Sequence, residues 1–379
     1  MDQPSSYHTQ AEIDSQAALW NEVYQLLSSY KTDIQHFLTP IFSNPSLEII
    51  LTGAGSSFFI GEVVATHVQM NTGFISRAIP TTDIVTHPED YFTSGRPLLM
   101  ISFARSGNSP ESLASIALAN LLCENVHHLV ITCNKEGKLA LLRAGNTYVI
   151  QLPPASNDQG LAMTSSVTSM ILTALLVSDL DNIAANRARV DLSITYAKKV
   201  LNGYRSLLLK LSKLNFKRIV CLGSGPQLGV AREAHLKVEE LTNGEVIGKF
   251  DSFLGFRHGP LAVVNSDTLI IYFVSNDPYV QEYERDLIKS VSEKSETLST
   301  VVVSETKVAS EADNHIYLSD HHEGLNEAYL SLSYLIVPQL IGMYKSINMG
   351  LNPDNPSVDG TINRVVQGVT IYDYSSEND

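Results

Sequence analysis

The sequence predicts an α/β protein of two tandem, doubly wound (flavodoxin-like) domains, each a five-stranded parallel sheet flanked by helices. Two observations lead to this fold. The run LTGAGSSFFIGE recurs as CLGSGPQLGVARE, so the glycine pairs Gly53/Gly55 and Gly223/Gly225 lie 170 residues apart. The apolar runs that follow each pair keep nearly the same offset, which indicates one fold present twice.

The apolar, β-prone runs give the expected strands. In the first half they fall at 47–51, 74–79, 98–103, 128–133 and 148–152, and in the second at 218–222, 246–250, 269–274, 300–303 and 315–318. Continuous apolar runs separated by helix-length segments are typical of a parallel sheet that is buried on both faces. We therefore expect one such sheet in each half.

The predicted division of the chain has three parts. Apolar residues at helical spacing predict an N-terminal helical segment at 1–38. The first domain follows at 39–190, and the second domain, with a C-terminal tail, occupies 191–379. The join is placed near 184–192, where polar residues interrupt the apolar pattern.

Composition excludes several classes of partner. The 379 residues carry 26 basic and 40 acidic side chains, and a net charge of −14 repels nucleic acid and anionic membranes. A phosphate site would therefore depend on local amide and hydroxyl donors. Three cysteines are too few for a disulfide framework or a metal cluster, which favours a reducing cytoplasm. Neither a signal peptide nor a membrane span is expected, since the longest apolar run, 167–177, is short.

Two loops in the first half predict a phosphate site. A strand that turns through glycine into a helix presents free amides at a positive dipole end, and Ser56 and Ser57 follow this turn. The loop ARSGNSPES, after the third strand, adds Ser106 and Ser109. Either loop alone is better explained by ordinary turn chemistry. Because both end adjacent strands of one sheet, we expect them to converge on an anion.

The second half carries different chemistry. Its matching loop, SNDPYVQ, has the acidic Asp277 where the serines would be, so this half is expected to have lost the phosphate site. Glu233, Lys237 and Glu240 fall at i, i+4 and i+7 of the following helix and share one face. A solvated charged face explains this spacing equally well. His258, in the loop FLGFRHGP, has the side-chain type for proton transfer near neutral pH.

These motifs together resemble the sugar isomerase (SIS) family, and in particular the isomerase half of glucosamine-6-phosphate synthase. The strings SFARSGNSPES, LPPASNDQGLAMTSS and NRVVQGVTIYDY are similar to the galactosamine-6-phosphate deaminase/isomerase members of that family. The resemblance covers nearly the whole chain. It implies conversion of a hexosamine 6-phosphate, D-galactosamine 6-phosphate, to tagatose 6-phosphate and ammonia, with no metal or organic cofactor.

The resemblance also implies roles for individual residues. Glu240 matches the acid/base that moves a proton between C1 and C2, with Lys237 and Glu233 on the same helix face. His258 matches the ring-opening histidine that reaches the neighbouring subunit's site, so at least a homodimer is expected. The expected substrate and phosphate contacts are Gly55, Ser56, Ser57, Arg105, Ser106, Gly107, Asn108, Ser109, Thr164, Ser165 and Gln367. Arg105 stands where the synthase has glutamine, and Gln367 where it has a lysine.

Three alternatives remain from the sequence. The chain could be an aldose/ketose 6-phosphate isomerase that releases no ammonia, or a sugar-phosphate-binding regulator without chemistry. A nucleotide-binding enzyme is the third, although Phe58 and Leu228 occupy the last glycine position of GxGxxG in both turns. The sequence His321-His322-Glu323 could suggest a metal, but further ligands at useful spacing are lacking.

Overall fold

The computed structural model describes residues 7–294, 296–366 and 368–374, and it confirms the predicted α/β class. Each half of the chain contributes one five-stranded sheet. The strands are β1 (Glu48–Gly53), β2 (Ile75–Pro80), β3 (Leu98–Ala104), β4 (Val126–Thr132), β5 (Thr147–Gln151), β6 (Arg218–Gly223), β7 (Ile247–Asp251), β8 (Thr268–Phe273), β9 (Ser299–Ser304) and β10 (Asn314–Tyr317). All ten lie within two residues of the predicted runs.

The two sheets have the same strand order. The first is ordered β2-β1-β3-β4-β5 and the second β7-β6-β8-β9-β10, with every neighbouring pair parallel. This is the flavodoxin-like order, in which ligands bind beyond the carboxyl ends of the strands where the order reverses. The reversal falls beside β1 in one half and β6 in the other, at the two glycine turns.

Helices cover both faces of each sheet. They are α1 (His8–Ser29), α2 (Lys31–Phe42), α3 (Ser56–Thr72), α4 (Thr81–Thr86), α5 (Pro88–Tyr91), α6 (Pro110–Leu122), α7 (Ser165–Ser178), α8 (Ile183–Gly203), α9 (Arg205–Ser212), α10 (Pro226–Leu241), α11 (Phe253–Phe256), α12 (Pro278–Lys294), α13 (Glu327–Tyr334) and α14 (Ile336–Asn348). The expected N-terminal helical segment corresponds to α1 and α2, of which α2 extends to Phe42.

One hydrophobic core joins the two halves. Its buried residues include Leu51 and Ile101 of the first sheet and Ile219 and Ile271 of the second. The opposite face of each sheet packs against its own outer helices in a separate cluster. The join predicted near 184–192 falls inside the continuous helix α8, so the chain passes between the two halves along a helix rather than through a loop.

Helix α7 is buried along its whole length, which explains its apolar sequence. Within the described ranges, no single helix is long and apolar enough to cross a membrane. Only α7 and the segment Leu180–Gly203 meet that test when taken together, and they are bent by 97°.

The helices that follow the two glycine turns, α3 and α10, pack directly against each other. Gly229 of α10 lies so close to α3 that a Cβ atom there would stand 2.7 Å from Val63. Beside this contact, Arg232 of α10 forms an ion pair with Glu62 of α3. The close packing brings the first turn of α3 next to the charged face of α10, and the candidate site forms there.

Candidate functional site

The glycine turn after β1 places two serines at the start of α3. Gly55 has φ +55°, a backbone conformation that favours glycine, and Ser56 and Ser57 form the first turn of the helix. Both serines are buried. The second turn repeats this geometry, with φ +56° at Gly225, and Pro226 begins α10.

Ser56 joins the charged residues of α10 in one cluster. The Lys237 ammonium donates to Ser56 Oγ at 2.9 Å and to Glu240 Oε2 at 2.6 Å, and it lies 3.2 Å from Glu233 Oε1. Ser56 Oγ in turn donates to Glu233 Oε1 at 3.1 Å. The lysine is fully buried and Glu233 nearly so, whereas Glu240 keeps 24% of its side chain exposed. Glu240 is therefore the member of the cluster that can meet a ligand.

Burial sets the protonation of this cluster. It raises the pKa of Glu233 to about 7, while Lys237 opposes that rise and Glu240 adds to it. Burial alone would lower the pKa of Lys237, but the two carboxylates outweigh it and the net shift is upward. A buried lysine between two carboxylates stays charged and holds both of them in place.

The predicted serines line a small pocket beside this cluster. The pocket has a volume of about 100 Å³ and is lined by Ser57, Ser106, Ser109 and Ser112 among others. Ser109 Oγ and Ser112 Oγ are 2.6 Å apart and share a hydrogen bond. Hydroxyl groups at the carboxyl ends of β1 and β3 thus converge, an arrangement that suits a tetrahedral oxyanion.

A second pocket of about 390 Å³ adjoins the first. Gly55, Ser56 and Glu240 line it, together with residues 361–364 of the C-terminal tail. Both pockets are bounded by Ala54, Arg105, Met163, Arg364 and Val366. The two pockets therefore form neighbouring parts of one cleft, with hydroxyl groups at one end and Glu240 at the other.

Other predicted residues shape the serine loop without lining the cleft. The Gly107 carbonyl accepts from the Leu139 amide at 3.0 Å, and the Asn108 side chain accepts from the Lys138 amide at 3.0 Å.

Arg105 lines the cleft, but all three of its hydrogen bonds among the described residues end on backbone carbonyl oxygens.

Thr164 and Ser165 lie apart from both pockets. They begin α7, where the Asp158 carboxylate accepts from the amides of Thr164, Ser165 and Ser166 and from the hydroxyls of the two serines. This is an N-cap of the helix, and the capped amides are not free for a substrate. The structure thus gives these two residues a structural contact with Asp158.

His258 lies outside this cleft of its own chain. His258 follows α11, is exposed, and lines neither pocket of its own chain. Gln367 lies outside the described residues. The tail returns over the first half, where residues 361–366 line the cleft.

Sequence reasoning missed Asp158, Met163, Asn363 and Arg364. Asp158 and Arg364 stand within two of the strings that carry the family resemblance, LPPASNDQGLAMTSS and NRVVQGVTIYDY. A lone charged residue inside such a small-residue or apolar segment was the available signal. Both residues make buried or half-buried hydrogen bonds.

The equivalent edge of the second sheet is filled by the chain's own carboxylates. Glu284 accepts from the Ser275 amide at 2.9 Å, and the Ser275 hydroxyl donates to Glu327. Gln227, 170 residues after Ser57, donates to the Glu327 carbonyl at 2.9 Å. Asp277 accepts from the Tyr279 amide at the start of α12. The amides and the hydroxyl at this edge are therefore already bonded to the chain's own carboxyl groups.

We expect Glu284→Gln to stabilise the fold selectively at alkaline pH. Burial raises the pKa of Glu284 to about 8 from an ordinary 4.5. The unfolded chain therefore loses this proton first, and wild-type stability falls as the pH rises between these values. Melting temperatures at pH 5.5 and 8.5 measure the effect, with Glu282→Gln on the exposed face of α12 as control. An equal shift at both pH values would contradict the prediction.

Metal ligands and reactive thiols do not cluster in the part of the chain that the structure describes. No group of three or more His, Cys, Asp or Glu residues there could hold a metal ion. Cys123, Cys133 and Cys221 are free and buried, and burial raises the pKa of Cys133 to about 12.

The chain is similar to known proteins along most of its length. The SIS domain family model matches residues 41–178 and 214–338. The chain is 40% identical to D-galactosamine-6-phosphate deaminase AgaS of Shewanella sp. (strain ANA-3), covering 98% of this chain and 93% of that protein. It is similar to tagatose-6-phosphate ketose/aldose isomerase from Escherichia coli, at 34% identity and TM-score 0.89, covering 98% of both chains. The C-terminal domain of glucosamine-fructose-6-phosphate aminotransferase from Francisella tularensis shares the fold at 16% identity and TM-score 0.77, covering 93% of this chain and 98% of that one.

Proposed function

Because the chain belongs to the SIS domain family, we propose that it is an amino-sugar-phosphate deaminase/isomerase. Its reaction converts D-galactosamine 6-phosphate to tagatose 6-phosphate and ammonia. The observation that carries this proposal is the cleft, which joins a hydroxyl-lined pocket for phosphate to Glu240, an acid/base held by a buried lysine. The name of the 40% identical Shewanella relative supports the substrate.

The phosphate is assigned to the pocket of Ser57, Ser106 and Ser109. These hydroxyls lie at the first turn of α3 and at the carboxyl end of β3, where the helix dipole favours an anion. Placing the phosphate there directs the other end of the sugar into the adjoining pocket, toward Ser56 and Glu240. The larger volume of this second pocket suits the sugar carbons.

The chemistry requires one proton to move between neighbouring carbons. After the ring opens, the C1 aldehyde acidifies the C2–H bond, and Glu240 removes this proton to give an enolamine. The enolamine is protonated at C1 to give a ketimine at C2. Water then adds to the ketimine, and ammonia leaves to give the ketose. Each step is acid/base or hydrolytic, so the proposal requires neither metal nor organic cofactor.

Lys237 and Glu233 act as positioning residues in this proposal. Lys237 is fully buried and lies behind Ser56 and Glu240, both of which line the sugar pocket. Its hydrogen bond to Glu240 Oε2 fixes the orientation of that carboxyl group. Glu233 balances the lysine charge and accepts from Ser56.

His258 is proposed to open the sugar ring in the site of a second protomer. It is exposed and lies outside its own chain's cleft, as a residue donated across an interface would be. The working unit is then at least a homodimer. Its partner is a small sugar phosphate, since a net charge of −14 disfavours nucleic acid and anionic membranes. Three buried free thiols fit a reducing cytoplasm.

A second candidate is isomerisation of a 6-phosphosugar without release of nitrogen. It is favoured by the name of the Escherichia coli structure, a tagatose-6-phosphate ketose/aldose isomerase. The same proton transfer between C1 and C2 serves both reactions, and only the hydrolysis of a ketimine distinguishes them.

An ammonia-release assay tests the proposal. Galactosamine 6-phosphate, glucosamine 6-phosphate and their N-acetylated forms are incubated in parallel, with tagatose 6-phosphate interconversion measured in the same samples. We expect ammonia and ketose in equal amounts from galactosamine 6-phosphate, and none from the N-acetylated sugars. Interconversion of the ketose without release of ammonia would instead establish the isomerase. The absence of both activities would overturn both candidates.

A further inference from the structure

Arg105 holds together two distant segments at the edge of the cleft. Its guanidinium donates to the Gly160 carbonyl at 3.2 Å and to the Leu161 carbonyl at 2.9 Å. From its other nitrogen it donates to the Arg364 carbonyl of the C-terminal tail at 2.5 Å. A planar guanidinium can reach several carbonyls at once in a way that a lysine ammonium cannot.

The charge of Arg105 has no carboxylate partner at hydrogen-bonding distance among the described residues. Only 6% of the side chain is exposed, and this burial lowers the pKa of Arg105, which Asp158 and Glu240 counteract from a distance. A buried cation bonded only to neutral carbonyls is costly unless an anion lies near it. Arg105 lines the serine pocket, so a phosphate placed there would supply that anion.

Arg364 ties the tail to the same segment from the other side. Its guanidinium donates to the Asp158 carbonyl at 2.8 Å and to the Asn157 side chain at 2.9 Å. The segment 157–161 is thereby bonded to Arg105 and to the tail at once. Asp158 in turn caps α7, and Glu12 of α1 accepts from the Gly160 amide at 3.2 Å. The tail is thus anchored to a segment that two core helices hold in place.

We propose that Arg105 is a positioning residue that couples phosphate binding to closure of tail residues 361–366 over the sugar pocket. The inference rests on the proposed function, since it takes the serine pocket as the phosphate site. A phosphate beside Arg105 stabilises its buried charge and so strengthens the hydrogen bond from Arg105 to the Arg364 carbonyl of the tail. By reciprocity, the closed tail increases affinity for phosphate by the same factor. A sugar without phosphate would leave the tail free to open.

Trypsin cleavage after Arg364 reports this closure directly. The protease must accept the Arg364 side chain, which the closed tail keeps on Asp158 and Asn157. Using inorganic phosphate as the probe, we expect saturation to slow this cleavage about tenfold or more in the wild-type protein. Affinity for phosphate is measured by calorimetry in the same buffer.

Two substitutions separate the charge of Arg105 from its shape. Arg105→Lys keeps the charge but not the three carbonyl contacts, so cleavage after Arg364 should become fast with or without phosphate, and phosphate affinity should fall by the factor of protection measured in the wild-type protein. Arg105→Gln should weaken phosphate binding about tenfold or more and also abolish the protection of the tail from cleavage. Ser106→Ala should weaken phosphate binding, but phosphate at a saturating concentration should still protect the tail from cleavage. Arg143→Gln, an exposed arginine bonded to carbonyls outside the cleft, is the matched control.

The outcomes distinguish the two proposals. Failure of the wild-type protein to bind inorganic phosphate would overturn the phosphate site itself. Binding without slower cleavage after Arg364 would overturn the coupling and leave the site standing. Unchanged phosphate affinity in a folded Arg105→Gln would remove Arg105 from the phosphate's surroundings. If phosphate still slowed cleavage in Arg105→Lys, the hydrogen bonds from the guanidinium to the three carbonyls would not be what couples phosphate binding to the tail.

Discussion

Glu240→Gln is expected to lower kcat for galactosamine 6-phosphate by about 100-fold to 10,000-fold, the usual contribution of general acid/base catalysis. Glutamine has nearly the shape of glutamate but cannot take the C2 proton. The phosphate contacts are unaffected, so KM should change by no more than about threefold. Steady-state ammonia release measures both constants.

The structure supplies a matched control and a reason to expect a folded variant. Glu239 is the preceding residue of α10 and lines neither pocket, so Glu239→Gln should keep wild-type turnover. In Glu240→Gln, Lys237 remains 3.2 Å from Glu233 and hydrogen-bonded to Ser56, so its charge stays compensated. Full turnover by Glu240→Gln would remove this residue from the mechanism.

The strands inside each sheet were predictable because a parallel strand there buries both faces, whereas an edge strand such as β7 is only partly buried. The run 98–103 became Leu98–Ala104 and 246–250 became Ile247–Asp251, with shifts of one residue at the ends. The position of the join between the domains stays a prediction, but its helical form was not predictable, because polar residues on one side of a helix resemble a break. Arg187 pairs with Asp191 on the exposed side of α8, while Val190 of the same helix is fully buried. A helix that spans the join has no sequence signature that distinguishes it from a linker.

The spacing of the α10 residues predicted a shared face but not its depth. A period of 3.6 places Glu233, Lys237 and Glu240 on one stripe whether that stripe meets water or the core. The packing of α3 against α10 decides the matter, and it buries Lys237 completely. That packing depends on Gly229, whose missing side chain lets the two helices approach. Whether the shared face of α10 is buried therefore depends on tertiary packing, which the spacing of its residues does not predict.

Residues brought together from distant parts of the chain were the hardest to predict. Arg105 and the Arg364 carbonyl are separated by 259 residues, and neither position carries a local signal for the other. The family resemblance placed Ser165, at the start of α7, among the substrate contacts. The nearby Asp158 already occupies that helix end, and it does so from only seven residues away. A carboxylate shortly before a helix start is the sequence signal for this contact.

The duplicated glycine turn illustrates how the two halves diverged. Backbone geometry at Gly55 and Gly225 is nearly identical, so the turn itself does not decide what binds. The side chains do: hydroxyls meet at the first sheet edge, whereas Glu284 and Glu327 occupy the second. The second turn instead begins the helix that presents Glu240.

Mixing two inactive variants is expected to restore activity if His258 acts across a dimer interface. His258→Asn alone should lower kcat by about 100-fold or more, because ring opening loses its proton donor. His321→Asn, at another exposed histidine, should not. Glu240→Gln is inactive for a different reason, in the other half of the composite site.

A heterodimer of these two variants contains one damaged and one intact site. The intact site takes Glu240 from the His258→Asn protomer and His258 from the Glu240→Gln protomer. Random pairing of equal amounts makes half the dimers heterodimeric, so about a quarter of wild-type activity should return. Co-expression with two different affinity tags allows the heterodimer to be isolated and assayed. If His258 served its own chain, each site of the heterodimer would lack one group, and the isolated heterodimer would be as inactive as either parent.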